Sequence, residues 1–101
     1  MGADSEGAPV VELTGELDAF VAPALRARLD EAIDAAGPGL VIVDLSQVTF
    51  LDSTALGTLV GALRRMRERG GELRVVLPPP PALRIFELTG LDAVFGGETP
   101  P

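Results

Sequence analysis

Cysteine and histidine are both missing from this chain of 101 residues, and so are lysine, tyrosine and tryptophan. Without cysteine there is no disulfide, no thiolate metal site and no thiol nucleophile. Without histidine, the commonest general base near neutral pH and the commonest transition-metal ligand are gone as well. The only aromatics are four Phe, so a core must be built mainly from Leu, Val, Ile and Ala. Basic charge is scarce too, with 8 Arg against 15 acidic residues and a net charge of −7. Such a balance argues against a nucleic-acid or anionic-membrane surface, since both need clustered cations. The longest purely aliphatic run, residues 40–43, is far too short to span a bilayer. The opening Met1-Gly2-Ala3-Asp4-Ser5-Glu6 is acidic and leads into no apolar stretch, so it does not read as a signal peptide. Glu6 also stands where a myristoylation pattern needs Ser or Thr. A cytoplasmic protein is expected.

What is present suffices for one domain with one modest core: 47% of the residues are apolar. A small polar lead-in over 1–8 precedes a short strand over 9–13, closed by Thr14-Gly15. Pro23 suits the first turn of a helix over 23–36, whose apolar face carries Leu25, Leu29, Ala32, Ile33 and Ala36. Gly37-Pro38-Gly39 ends it. The unbroken apolar run of Leu40, Val41, Ile42 and Val43 predicts a strand over 40–45 buried on both faces. Asp52-Ser53-Thr54 is a helix-start signal, and Leu56, Leu59, Val60, Leu63 and Met66 stripe a helix over 54–69 that stops at Gly70-Gly71. A third strand over 72–77 follows. A stiff proline connector over 78–81 then leads to a third helix over 82–89, with Leu83, Phe86 and Leu88 directed inward and Gly90 at its end. Residues 92–95 read as a last edge strand and 96–101 as a tail. Strands alternating with helices predict an α/β fold, a mixed and mostly parallel sheet of about four strands with helices packed on it. The domain is expected to span 9–95.

One segment carries chemistry. A buried strand and a tight turn deliver Asp52, Ser53 and Thr54 to the N-terminus of a helix, where free N–H groups and the dipole favour negative charge. A phosphate on a hydroxyl at that point would be tolerated locally. The structural alternative is that these residues only cap the helix, because Asp, Ser and Thr are preferred caps. Asp18 has the same alternative as a cap of the first helix. Asp44 and Asp52 do not make an acid–base pair, since no nucleophile and base accompany them, and single Asp residues in turns are weak evidence for Mg²⁺. No cofactor motif is present, and the glycines match no phosphate-binding loop. The arginines at 64, 65, 67 and 69 read as a solvated face matched to the negative end of their helix.

The run Val41-Ile42-Val43-Asp44-Leu45-Ser46 through Phe50-Leu51-Asp52-Ser53-Thr54-Ala55-Leu56-Gly57 resembles the signature of bacterial anti-sigma factor antagonists of the STAS family. In that family a buried strand ending in Asp-Leu-Ser is followed by an Asp-Ser-Ser/Thr-Gly-Leu-Gly box. Leu13-Thr14-Gly15-Glu16-Leu17-Asp18 resembles its Gly-Glu-hydrophobic-Asp motif, Gly70-Gly71-Glu72-Leu73 its Gly-Gly before a strand, and residues 83–91 its late helix and turn. The resemblance covers about residues 10–95, in order and at family spacing. It implies that Ser53 is the phosphoacceptor, and that Asp18, Asp52, Ser53, Thr54 and Ala55 belong to the partner-binding face. It also implies the partners: an anti-sigma factor that is a Ser/Thr protein kinase, and a Ser/Thr phosphatase that reverses the modification. The unmodified antagonist would bind the anti-sigma factor and free the sigma factor, with no enzymatic activity of its own. A second reading is a STAS-type accessory or scaffold subunit of a lipid or anion transporter, with Ser53 purely structural. Two departures stand out. Ala55 replaces the family's usual Gly, adding a Cβ near the acceptor. The ends are short, so an edge strand or terminal helix of the family pattern is expected to be absent.

Overall fold

The computed structural model describes residues 7–95. Most of the expected lead-in (1–6) and the expected tail (96–101) lie outside the described residues. Seven elements follow one another: β1 (Val10–Leu17), α1 (Ala22–Ala36), β2 (Leu40–Leu51), α2 (Ser53–Glu68), β3 (Glu72–Val76), α3 (Leu83–Thr89) and α4 (Leu91–Val94). The helices begin and end within a residue or two of their sequence signals. Pro23 sits in the first turn of α1 as expected.

The sheet has the order β1-β2-β3 and is parallel throughout. Each step between neighbouring strands goes through a helix. Crossovers of this kind are right-handed, so two successive steps in the same direction put both helices on one face. The burial pattern follows from that placement. Val11 and Leu13 of β1, Val41, Val43 and Leu45 of β2, and Leu73 and Val75 of β3 point into the helix-covered face and are buried. They meet Leu25, Leu29 and Ile33 of α1, and Leu56, Leu59, Leu63 and Met66 of α2. Glu12, Thr14, Glu72 and Arg74 alternate onto the other, open face.

Leu40 and Ile42 are therefore only half-buried, which corrects the reading of residues 40–43 as covered on both faces. A continuous apolar run does not reveal how many layers pack on it. Three strands, not four, make the sheet among the described residues. Residues 91–94 form helix α4, where an edge strand over 92–95 was expected. The chain reverses at Gly90, and Leu91 and Phe95 then share one helical face at a spacing of four. Phe95 packs edge-on against Phe86, with ring centroids 6.1 Å apart. Leu88, expected inward, is 72% exposed. It lies two residues from the buried Phe86, about 200° around the helix.

The arginine-rich end of α2 does more than match a dipole. Arg65 pairs with Asp30 at 2.8 Å and Arg69 with Asp34 at 3.2 Å, joining α2 to α1. Arg69 Nη1 also donates to the Ile33 carbonyl at 3.0 Å, in the last turn of α1. Beyond this end, Gly71 lies so close to the preceding loop that a Cβ would stand 2.6 Å from the Gly39 carbonyl oxygen. The second glycine of the Gly-Gly pair is thus fixed by close approach, beyond its part in stopping the helix.

Leu59 has no exposed surface. Leu59→Ala is expected to lower stability by about 2–5 kcal/mol in urea denaturation, while Leu88→Ala changes it by less than about 0.5 kcal/mol. Equal losses would contradict the burial of Leu59 and the exposure of Leu88.

Candidate functional site at the carboxyl edge of the sheet

In a parallel sheet all strands end at the same edge, and here that edge gathers the predicted residues. β1 does not stop at Thr14-Gly15, as its sequence suggested, but runs on to Leu17. Gly15 holds φ at +77°, a left-handed conformation that other residues rarely adopt, and so passes through the irregularity without ending the strand. The pairing of β1 with β2 slips twice here, between Glu12 and Thr14 and between Gly15 and Glu16. From Val10↔Ile42 to Leu17↔Leu51, β1 advances by 17 − 10 = 7 residues and β2 by 51 − 42 = 9. The two extra residues are bulges in β2, a common device beside functional sites. They carry the strand to Leu51 and set Asp52 opposite the loop that follows Leu17, with the Asp52 N–H donating to the Leu17 carbonyl at 3.1 Å.

Asp52 is the N-cap of α2. Its Oδ1 accepts from the Ala55 N–H at 3.0 Å. Its Oδ2 accepts from the Ala19 N–H at 2.9 Å, across 33 residues of sequence. One carboxylate thus caps the helix and ties down the β1–α1 loop. Asp18 acts within that loop: its Oδ1 accepts from the N–H groups of Phe20 at 3.1 Å and Val21 at 3.2 Å. The N-cap of α1 itself is Val21, which makes no side-chain cap bond. Asp18 therefore closes the turn before the helix, not the helix end, correcting its reading as a cap of α1.

Ser53 is the first residue of α2, and both it and Thr54 are exposed. The first-turn N–H groups of a helix lack intrahelical acceptors, and Asp52 satisfies the one on Ala55. Ala55 differs in kind from its neighbours. It is fully buried, so its methyl lies in the core and not on the surface that carries Ser53. Gly57, one turn beyond Ser53 on the same helical face, is exposed and has no atom within 4 Å of a would-be Cβ. Asp44, by contrast, is spent locally, with its Oδ1 accepting from the Ser46 N–H at 2.9 Å.

Two residues of this edge escaped the sequence reading. Phe20, in the loop held by Asp18 and Asp52, is 91% exposed, and Phe50 is 49% exposed. Phe50 lines an open apolar groove with Leu51, Pro81, Ala82, Ile85 and Leu88. The available signal was that Phe20 falls outside both flanking apolar stripes in a chain with few aromatics. Among the described residues, no group of three acidic side chains could hold a metal ion, and no helix is long and apolar enough to cross a membrane.

A family model for the STAS domain matches residues 3–100. The chain belongs to the STAS family. An anti-sigma-B factor antagonist of Listeria monocytogenes is 36% identical over 84 residues, covering 82% of this STAS chain and 72% of that protein. The crystal structure of an anti-sigma factor antagonist from Mycobacterium paratuberculosis aligns with a TM-score of 0.81 at 34% identity, covering 96% of this chain and 81% of that one. The anti-sigma factor antagonist SpoIIAA aligns in its unphosphorylated form with a TM-score of 0.72 at 26% identity, covering 89% of this chain and 78% of that one. Its phosphorylated form aligns with a TM-score of 0.66 at 27% identity, covering 89% and 81%. These matches bear out the resemblance read from the sequence and the α/β STAS fold.

Two outcomes are expected from this geometry. Asp52→Ala removes the cap and the cross-loop bond together, and should cost about 1–3 kcal/mol in chemical denaturation, with Asp52→Asn costing less. Gly57→Ala should raise stability by about 0.5–1 kcal/mol, because Ala is the better helix former and meets nothing. A destabilised Gly57→Ala protein would contradict the open surface described here.

Proposed function

We propose that the unmodified STAS chain binds a kinase-type anti-sigma factor and thereby releases a sigma factor, and that phosphorylation of Ser53 ends the binding. The observation that carries this reading is an exposed Ser53 hydroxyl at the start of the 16-residue helix α2, directly after an aspartate already committed to holding the frame. The names of its relatives support it, as does the existence of SpoIIAA in phosphorylated and unphosphorylated forms. They favour the switch over the transporter-subunit reading. In this proposal Asp18, Asp52, Ser53 and Thr54 belong to the binding edge, while Ala55 supports it from beneath. The chain acts by binding and not by catalysis. It works in the cytoplasm, and needs neither nucleic acid nor membrane.

The physical logic separates the fold from the interface. In the kinase step the γ-phosphoryl group of ATP passes to the Ser53 oxygen, the hydroxyl proton leaves and ADP departs. The modification brings about −1.5 to −2 charges and three acceptor oxygens. At a helix N-terminus the dipole favours that charge, so the domain keeps its fold. A docked surface must be desolvated, and a phosphate on Ser53 adds its charge to an edge that already carries the carboxylates of Asp18 and Asp52. Like-charge juxtaposition at an interface costs several kcal/mol, and about 1.4 kcal/mol is tenfold in affinity. A phosphatase restores the hydroxyl and the binding.

Calorimetric titration against the purified anti-sigma kinase tests this directly. Phosphorylation should weaken binding by about a hundredfold or more with an unchanged circular dichroism spectrum. Ser53→Ala should bind and resist modification, Ser53→Asp should bind poorly, and Thr54→Ala should still be modified. Equal affinity of the two forms, or phosphate found on Thr54 alone, would rule the switch out.

A further inference from the structure

The four phenylalanines divide into two uses. Phe86 and Phe95 are in the core, at 0% and 2% exposure. Phe50 is shared between surface and groove, and Phe20 projects into solvent at 91% exposure. An aromatic ring in water is the less favourable placement, since rings of this size contribute most when buried. A ring left in water is ordinary on a mobile loop, but the backbone beneath Phe20 is tightly held. Four hydrogen bonds fix three consecutive residues: Ala19 to Asp52 Oδ2, Phe20 to Asp18 Oδ1, and Val21 to both Asp18 Oδ1 and the Asp18 carbonyl. Three of the four end on carboxylates, the stronger class of acceptor.

We propose that Phe20 is the apolar anchor with which the unmodified chain engages its anti-sigma partner, its ring entering an apolar pocket on that protein. The inference rests on the function proposed above and adds the residue that supplies apolar contact. Three observations converge on it. The Ala19–Asp52 bond fastens the Phe20 loop to the residue preceding Ser53, so a kinase that covers the Ser53 hydroxyl also reaches this loop. The ring is fully desolvatable, because almost none of its surface is used within the domain. The loop is ordered before any partner arrives, which removes much of the entropic cost that binding otherwise meets. Energetic hot spots at interfaces are typically few, and large side chains on rigid backbone supply them. Of the other surface residues at this edge, Glu16, Asp18, Asp52, Ser53 and Thr54 offer charge and hydrogen bonding but little apolar area, while the half-exposed Phe50 faces the groove with Pro81 and Ile85. Phe20 provides what the polar residues lack.

The test is calorimetric titration of the purified anti-sigma kinase with the whole chain as wild type, Phe20→Ala, Phe20→Tyr, Val94→Ala and Ser53→Asp. Phe20→Ala should bind at least about tenfold more weakly, and Phe20→Tyr within about threefold of wild type, because the ring is retained. Val94→Ala, a surface apolar residue on α4, should stay within about twofold. Melting temperatures of the Phe20 variants should match wild type, because the ring supports no part of the fold. The anchor is overturned if Phe20→Ala binds less than about tenfold more weakly, or if Val94→Ala loses as much. In either case Ser53→Asp would still bind poorly, and the switch itself would stand. If wild type failed to bind the kinase at all, the function proposed above would fall, and the anchor with it. Sedimentation of the same proteins covers the remaining occupant: loss of self-association in Phe20→Ala with unchanged kinase affinity would assign the ring to a second copy of the chain and overturn the proposal.

Discussion

A single carboxylate carries the candidate site. Asp52 has two acceptor oxygens, one turned to the first turn of its own helix and the other to a loop 33 residues earlier in the chain. The first bond satisfies an N–H that the helix cannot satisfy itself. The second gives an otherwise irregular loop a fixed position relative to Ser53. Both depend on β2 ending at the right place, and that depends on the two bulged residues that lengthen it relative to β1. The path runs from strand irregularity to cap, from cap to loop, and from loop to the exposed Phe20. Each link is short-range. Together they connect positions that local sequence keeps far apart.

The sheet explains why these elements meet where they do. Three parallel strands in sequential order, with both crossovers of one hand, leave one covered face and a common carboxyl edge. Loops at that edge of an open α/β sheet are the usual location of binding sites, because the rigid strands position them while the helices seal the core. The ion pairs from Arg65 and Arg69 lock α2 against α1 toward the far end of α2 from Ser53. They are partly exposed, so they add only modestly to stability; their main effect is on the relative position of the two helices. The proposed switch edge is thus built on a scaffold that need not change shape on phosphorylation of Ser53. A modification that acts at the interface, and not on the fold, asks for a hydroxyl that is exposed on a rigid base. Ser53 meets both conditions.

Much of this is legible in the order of the residues. The spacing of Leu25, Leu29 and Ile33, and of Leu56, Leu59 and Leu63, marks the two crossover helices and the faces they bury, because a period near 3.6 residues sets apolar side chains along one side of a helix. Asp52-Ser53-Thr54 marks a helix start through capping chemistry, and its likeness to the STAS box singles out Ser53. The less legible parts share a cause: they depend on what packs opposite. Nothing within Leu40-Val41-Ile42-Val43 says whether a second layer covers it. Asp92-Ala93-Val94-Phe95 suits a strand by composition, yet residues 92–94 join helix α4 and Phe95, at its C-cap, packs against Phe86.

From the sequence alone came the α/β class, the helix faces, the acidic surface and the serine at a helix start, all properties of residues near one another in the chain. Tertiary structure decided the rest: that Asp52 reaches Ala19, that Asp18 closes a turn and not a helix, that Ala55 belongs to the core, and that Phe20 is left in water. Periodicity and capping are local rules with local signatures. A hydrogen bond across 33 residues, or a ring without a neighbour, exists only once the strands have chosen their register and the sheet has brought its carboxyl ends together.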